Sequence, residues 1–180
     1  MIVRSFLAVV AVLIGAQFAL AETKYELNGK NTKLEFVGKK PDGSHTGGFE
    51  KLSGTATVSG SDLTTTKLDV KIEMTSLKSD ADKLTAHLKA PDFFDVKRYP
   101  EAKFVSKKIE MAKKGYTVTG DLTMHGETKS VSFPAEIAVT PKGLQLKAAF
   151  SIDRNDWGIS YGKGKINDDV AIKLNISTAK

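Results

Sequence analysis

The alternation of apolar and polar side chains with a period of two residues is the feature that most limits how this 180-residue chain can fold. It is most regular over residues 67–75, where every second residue is apolar and the residues between are charged or threonine. Such a pattern is typical of a β-strand with one buried face. The same signal predicts further strands at residues 24–27, 32–38, 49–59, 105–111, 116–124, 131–139, 144–152 and 170–176.

Short turn signals separate most of these segments, among them Asn28-Gly29 and Lys114-Gly115. Tight turns join antiparallel neighbours, so we expect antiparallel pairing throughout. Later strands of about 10 residues would each reach roughly 33 Å at 3.3 Å per residue. Because no second layer of helices is indicated, strands this long favour a sheet closed on itself. We therefore predict an all-β fold with one short helix, an antiparallel β-barrel of about eight strands.

Three positions are predicted to interrupt the regular strands. Residues 39–48, with Pro41 and several glycines, are expected to form an irregular loop. Gly120 lies on an apolar face and marks a bulge or bend, and Pro134 on the opposite face suggests an edge or bulge position.

Alternation alone does not say which face of the barrel is inside. The polar face carries many Lys, Asp and Glu residues, and the strand ends lack aromatic girdles. On a lipid-facing surface such charges would cost roughly 2–4 kcal/mol each at the bilayer midplane. We therefore expect a soluble barrel with an apolar interior, and whether that interior is a filled core or a lined cavity stays open at this point.

One segment, residues 79–89, has the three- and four-residue apolar spacing of a surface helix, through Ala81, Leu84 and Leu88. Ser79 is the expected N-cap, and Pro91 ends the helix at about Lys89. The loop that follows is rich in aromatic rings, which predicts that it packs onto the barrel.

Three separated motifs carry a family resemblance: HLKAPDFFDVKRYPEAKF (87–104), GDLTMHGETKSV (120–131) and DRNDWGISYG (153–162). They resemble the signature of the YceI-like lipid-binding family of bacterial periplasmic proteins, and the resemblance covers residues 22–180. It implies an elongated, lipocalin-like barrel whose apolar bore takes a long isoprenoid or other lipid chain. The chain departs from the family pattern at Leu84 and Thr85, where many members carry an Arg-Asp pair.

The resemblance therefore implies a binding or carrier protein for one long apolar lipid, such as an isoprenoid quinone or a polyprenyl compound. Each buried methylene would contribute about 0.8 kcal/mol. Two alternatives stay open: a filled-core barrel acting as a stress-protective or protein-interaction module, and an enzyme acting on a lipid head group. The expected lining residues are Phe36, Leu68, Val70, Ile72, Met74, Leu84, Leu88, Phe93, Phe94, Tyr116, Val118, Phe133, Phe150, Ile152, Trp157 and Ile172.

Polar residues near the predicted barrel mouth are candidates for contact with a lipid head group. They are His87, Arg154, Asp156 and Tyr161. For Arg154 and Asp156 we favour a structural pair across their loop. Trp157 and Tyr161 are expected to plug one end of the barrel, since such aromatics bury a ring and keep a polar group for a hydrogen bond.

The first 21 residues have the pattern of a secretory signal peptide. An apolar run over residues 6–20 precedes Ala19-Leu20-Ala21, a cleavage site of small residues. We expect cleavage after Ala21, a periplasmic protein, and one domain over residues 22–180. The chain has no cysteine, so this domain must be stable without disulfides.

The formal net charge is +6, but the lysines are dispersed among acidic residues, which argues against a nucleic-acid partner. The three histidines are not spaced as metal ligands, and no nucleophile or phosphate-binding motif is present. We expect no metal, no cofactor other than a bound lipid, and no enzymatic activity. A transient membrane contact and a homodimer stay open.

Overall fold

A computed structural model describes residues 21–178, so the predicted signal peptide lies almost wholly outside the described residues. Within that range eleven strands form one antiparallel sheet, accompanied by one α-helix, α1 (Asp82–Leu88). The helix is too short to cross a membrane, and none in the described range could do so. The strands are β1 (Glu22–Asn28), β2 (Thr32–Lys40), β3 (Gly43–Phe49), β4 (Leu52–Ser59), β5 (Lys67–Glu73), β6 (Leu77–Ser79), β7 (Glu101–Met111), β8 (Tyr116–Met124), β9 (Glu127–Thr140), β10 (Gly143–Asp153) and β11 (Asp169–Ser177).

The sheet order is β1-β4-β5-β7-β8-β9-β10-β11-β2-β3-β6. Three pairs of consecutive strands, β1 with β2, β3 with β4 and β5 with β6, are the two halves of long bent strands, because β2 pairs with β3 while β1 pairs with β4. At the bends the Glu50 N–H donates to the Ser76 carbonyl (3.3 Å) and the Glu73 N–H to the Lys51 carbonyl (3.0 Å). When each bent strand is counted once, the curled sheet has eight strands. The predicted all-β, barrel-like fold is confirmed, and the strand count is corrected to eleven.

Strand β3 occupies residues that were predicted to form an irregular loop. Its glycines hide the apolar alternation, but they are needed for close packing. A Cβ at Gly47 would lie 2.8 Å from Cε1 of the Phe36 ring, and one at Gly48 would lie 2.8 Å from the Leu34 carbonyl oxygen. The glycines thus leave room for the Phe36 ring and the β2 backbone, and this segment pairs with β2 as an antiparallel strand.

Gly120 marks a bulge, as predicted. The register of β7 against β8 shifts between Ser106 and Lys108, opposite Gly120 and Thr119. A Cβ on Gly120 would lie 2.6 Å from Cζ of Phe104, so the missing side chain lets this ring lie across β8.

Strands β9 and β10 separate partway along their length. Their pairing runs from Gly143↔Thr140 to Ala148↔Ala135 and then stops, although β9 stays paired with β8 as far as Glu127. Pro134, which has no N–H to donate, is the first residue beyond the ladder with β10. The barrel wall therefore opens between the two strands in the half nearest α1.

Helix α1 starts later than predicted. Its N-cap position is Ala81, which has no side-chain cap, while Ser79 belongs to β6. Instead of capping the helix, Ser79 donates its N–H to the Thr85 hydroxyl at 2.9 Å. The helix is thereby attached to the end of the sheet.

The interior has two different halves. The half away from α1, which we call the packed half, is filled by side chains that leave 8% or less of their surface exposed. We call the other half, beneath α1, the cavity half. The packed half comprises Tyr25, Leu27, Ala56, Val58, Ile109, Val118, Ala135, Ile137, Leu144 and Leu146.

Candidate functional site

The cavity half encloses a space of about 220 Å³. One water molecule needs only about 10–15 Å³, so this space is far larger than a packing defect. Along β11 the lining runs from Val170 to Ile176, and the six steps between these residues span roughly 20 Å at 3.3 Å per residue. The site is thus a long, narrow cavity inside the barrel.

The floor of the cavity is aromatic. The rings of Phe133 and Phe150 stack with centroids 4.3 Å apart and planes 8° apart, and Phe104 lies 5.6 Å from Phe133. Phe133 and Phe150 come from β9 and β10 where those strands no longer pair. Their rings thus fill part of the opening in the wall and separate the cavity from the packed half.

The roof is formed by α1 and the loop that follows it. Leu84 and Leu88 of the helix and Phe93 and Phe94 of the loop border the cavity. The loop is held against the helix by a hydrogen bond of 3.1 Å from the Phe94 N–H to the Leu88 carbonyl. The aromatic loop therefore packs onto the barrel, as its composition predicted.

Most of the predicted lining residues border this cavity; as ligand contacts they stay predictions. They are Phe36, Leu68, Val70, Ile72, Met74, Leu84, Leu88, Phe93, Phe94, Phe133, Phe150, Ile152 and Ile172. Further apolar residues of the inward strand faces, and two from the loop between β10 and β11, complete the wall; sequence reasoning did not single them out. These are Leu34, Phe49, Ala102, Phe104, Leu122, Met124, Val131, Ile159, Ile166, Val170, Leu174 and Ile176.

The structure places Tyr116, Val118 and Trp157 outside the cavity lining. Tyr116 and Val118 share the inward face of β8 with Leu122, but they lie deeper, in or next to the packed half. Alternation identifies the inward face of a strand and not the depth along it, which is why the sequence did not separate them.

Trp157 fills the opening in the wall from the side. It is 1% exposed, and its indole Nε1–H donates to the Leu122 carbonyl at 3.0 Å. Nδ1 of His125 donates to the Trp157 carbonyl at 2.8 Å, which ties the β8–β9 turn to this segment. Trp157 therefore fills a gap in the barrel wall and does not plug an end of the barrel, where it was expected.

Arg154 organises the loop between β10 and β11. Its guanidinium donates to the carbonyls of Ile159 (2.6 Å), Tyr161, Ile166 and Asn167 and to the Asp168 carboxylate (3.1 Å). The side chain is only 5% exposed. The expected pairing with Asp156 is wrong, because Asp168 is the partner and Asp156 is exposed. With its donors engaged within the loop, Arg154 has a structural role.

His87 and Tyr161 join the roof to that loop. The His87 ring meets the Tyr161 ring edge-on at 4.7 Å, and Phe93 lies 5.0 Å from Tyr161. Nε2 of His87 is 2.7 Å from the Asp92 carboxylate. Tyr161 is 44% exposed, so the cluster lies at the outer surface of the roof.

The polar part of the cavity rim lies on the β2–β3 hairpin. Lys40 and His45 border the cavity there. Nδ1 of His45 lies 3.0 Å from the Asp80 carboxylate, whose other oxygen accepts the Thr46 N–H at 2.9 Å. The Thr46 backbone hydrogen bond, followed by that of His45, lowers the pKa of Asp80 below 3.8. Sequence reasoning missed this rim because β3 was read as a loop.

No group of three or more His, Cys, Asp or Glu residues suited to a metal ion occurs within residues 21–178. His87 and Asp92 form an isolated pair, and no serine or threonine hydroxyl in the described range is hydrogen-bonded to His87.

Comparisons with known proteins identify the family. The YceI-like domain model matches residues 25–178. A UPF0312 protein of Pseudomonas putida (strain GB-1) is 32% identical over 178 residues, with 94% of this chain and 92% of the relative covered. The crystal structure of Burkholderia cenocepacia BcnA has a TM-score of 0.76 at 25% identity, covering 83% of this chain and 96% of that one.

A more distant structure supports the fold alone. It is a polyisoprenoid binding domain from Saccharophagus degradans, with a TM-score of 0.68 at 14% identity, covering 87% of this chain and 97% of that one. The match of the family model over nearly all the described residues, together with the Pseudomonas relative, shows that this chain belongs to the YceI-like family.

Proposed function

We propose that this protein binds one long apolar lipid, an isoprenoid quinone or polyprenyl compound, and carries or sequesters it in the periplasm. The observation that carries the proposal is the cavity beneath α1, whose wall consists almost entirely of aliphatic and aromatic side chains. The choice of ligand class follows the structure of the same fold that is named for polyisoprenoid binding.

Burial alone can hold such a chain. Each methylene that leaves water contributes about 0.8 kcal/mol, so an apolar tail needs no polar contact along its length. Entropy lost on binding reduces the sum for long, flexible ligands. A narrow cavity with a fixed aromatic floor limits that loss, because its shape already exists before the ligand enters.

The alternatives receive less support. A solid core would leave no space of this size, so the cavity counts against the filled-core module. An enzyme acting on a lipid head group would need an acid–base pair such as His87 and Asp92, but this pair packs against Phe93 and Tyr161 as part of the roof. We therefore propose binding without covalent chemistry.

Gly38 offers a direct test of the cavity. It borders the cavity near the rim, and nothing lies within 4 Å of a Cβ built on it. A Gly38→Trp variant would place an indole in the cavity without displacing the backbone. Val37→Trp, on the outward face of the same strand, is the matched control.

The experiment is native mass spectrometry of both variants and the wild type, secreted with the natural leader and purified without detergent. We expect a stoichiometric long-chain lipid on the wild type and on Val37→Trp, and its loss from Gly38→Trp with an unchanged circular dichroism spectrum. A lipid retained by Gly38→Trp, or a wild type that neither carries nor takes up an added isoprenoid, would contradict the proposal.

A further inference from the structure

The inward face of the β2–β3 hairpin changes from apolar to basic at the cavity mouth. Along β2 the residues that share the inward face are Leu34, Phe36, Gly38 and Lys40. His45 of β3 lies directly opposite Gly38, and opposite residues of an antiparallel pair point to the same face. The side chains of Lys40 and His45 therefore lie at the edge of a largely apolar wall.

Other charged groups near the mouth are already engaged or point away. The Arg154 guanidinium donates its hydrogen bonds to carbonyls of its own loop and to Asp168. Glu35 and Lys39, which also border the cavity, alternate with the inward Leu34, Phe36 and Gly38, so their side chains are exposed on the outer face. His87 is held by Asp92 on the outer side of the roof. None of these groups offers a free contact to a molecule that leaves the cavity at the hairpin.

Lys40 and His45, in contrast, are available. In the part of the chain that the structure describes, the only salt-bridge partner of Lys40 is the exposed Asp42, at 3.4 Å, and the Lys40 side chain is 43% exposed. His45 is held at Nδ1 by Asp80, and within the described residues its Nε2 has no hydrogen-bond partner. Nε2 of His45 and the ammonium group of Lys40 can therefore both meet a molecule at the cavity mouth.

The space between these two side chains and the cavity is clear, since Gly38 contributes no side chain to it. A chain that extends upward from the aromatic floor would leave the cavity past Gly38 and bring its terminal group to Lys40 and His45. Lys40 brings N–H donors and a positive charge to this point and His45 borders the same space, so the matching group is an acceptor with negative charge.

We propose that Lys40 and His45 form a head-group site, and that the ligand is an amphiphile with an apolar tail and a single carboxylate or phosphate head. The inference rests on the proposed function, because the tail must occupy the cavity for the head to reach the rim. It also fixes the orientation of the ligand, with the tail on the Phe133–Phe150 floor and the anionic group at the β2–β3 hairpin.

The test is a competition among three probes with the same C20 isoprenoid tail: geranylgeraniol, geranylgeranoic acid and geranylgeranyl phosphate. They are offered as an equimolar mixture, and native mass spectrometry reports which one is bound. We expect the phosphate to be favoured about tenfold over the alcohol, equivalent to about 1.4 kcal/mol, with the carboxylate between them. Added salt should reduce the preference, because the rim is exposed.

The double variant Lys40→Gln/His45→Gln should bring all three probes to within about twofold of one another and still bind the alcohol, since the tail contacts remain. Lys147→Gln, an exposed lysine on the outward face of β10, should keep the wild-type preference. Equal binding of alcohol and phosphate by the wild type, or a preference that survives in the double variant, would overturn the head-group site and leave lipid binding intact. Failure of all three probes to bind would instead refute the proposed function itself.

Discussion

Strand β8 shows how differently the two halves of the barrel use the same inward face. Val118 is fully buried in the packed half, whereas Leu122, four residues further on, borders the cavity and is only half-buried. The chemistry of the side chains is similar, so hydrophobicity does not distinguish the halves. The difference comes from the wall: β9 and β10 remain paired around the packed half and separate around the cavity.

The cavity half has no packed centre, and it is held together by groups that surround the cavity. Trp157 fills the opening between β9 and β10, Arg154 fixes the loop beside it, and α1 forms part of the roof. Stability in this half should therefore depend on hydrogen bonds and a few large side chains around the cavity. In the packed half it should depend on apolar contact throughout.

The largest expected effect is the loss of a side chain from the packed half. Leu146 is completely buried, so Leu146→Ala should lower the free energy of unfolding by about 2–5 kcal/mol, the usual cost of a leucine-to-alanine cavity. Leu174→Ala on the adjacent strand enlarges an existing cavity and should cost about half as much or less. Urea titrations of the lipid-free proteins measure both. Equal losses would show that the two halves are packed alike.

Next comes the scaffold of the cavity half. Arg154→Met should destabilise the protein by about 2–4 kcal/mol, because carbonyls of the loop would lose their donor, each at a cost of about 1–3 kcal/mol when buried. Arg98→Met, an exposed arginine that lies over the Tyr99 ring, is the control and should change stability by about 0.5 kcal/mol or less. Thermal unfolding of both variants decides. If Arg154→Met were as mild as its control, the loop would not depend on the guanidinium.

A smaller effect is expected when side chains are enlarged. Val118→Phe adds a ring where no space exists and should cost about 1–3 kcal/mol. Ile72→Trp extends into the cavity, so the fold should be retained while bound lipid is lost. Urea unfolding together with mass spectrometry of the purified proteins tests the pair. A Val118→Phe variant as stable as the wild type would mean that the packed half has unrecognised space.

The sequence predicts much of this architecture because period-two alternation is a direct consequence of strand geometry. It identified the inward faces, and therefore most residues that border the cavity. It could not give their depth, so Tyr116 and Val118 were grouped with Ile72. It also missed β3, where Gly47 and Gly48 replace apolar residues to admit the Phe36 ring and the β2 backbone. Because β3 was missed, the polar rim was missed too. His45 can be placed at the cavity only when β3 is paired with β2, which sets it opposite Gly38.

The smallest expected effect concerns Asp80, which precedes α1 and attaches β3, with its rim residue His45, to that segment. Asp80 accepts hydrogen bonds from the Thr46 N–H and from His45, and the first of these chiefly lowers its pKa below 3.8. A carboxyl group with a pKa lower in the folded than in the unfolded state stabilises the fold at pH values above the unfolded pKa. That contribution is lost as the pH falls through the folded pKa.

Asp80→Asn should therefore be less stable than the wild type at about pH 5, and the difference should close towards about pH 2.5 as the wild-type carboxyl is protonated. Asp42→Asn on the same hairpin is the control, because Asp42 contacts Lys40 but, within the described residues, accepts no backbone hydrogen bond. Its difference from the wild type should be smaller across the range, since an exposed ion pair contributes little. Urea unfolding at several pH values separates the two. A gap for Asp80→Asn that did not change with pH would mean that the asparagine disturbs β3 and β6 by its shape, and the rim would then be held by the Gly47↔Ser79 ladder without help from the carboxylate charge.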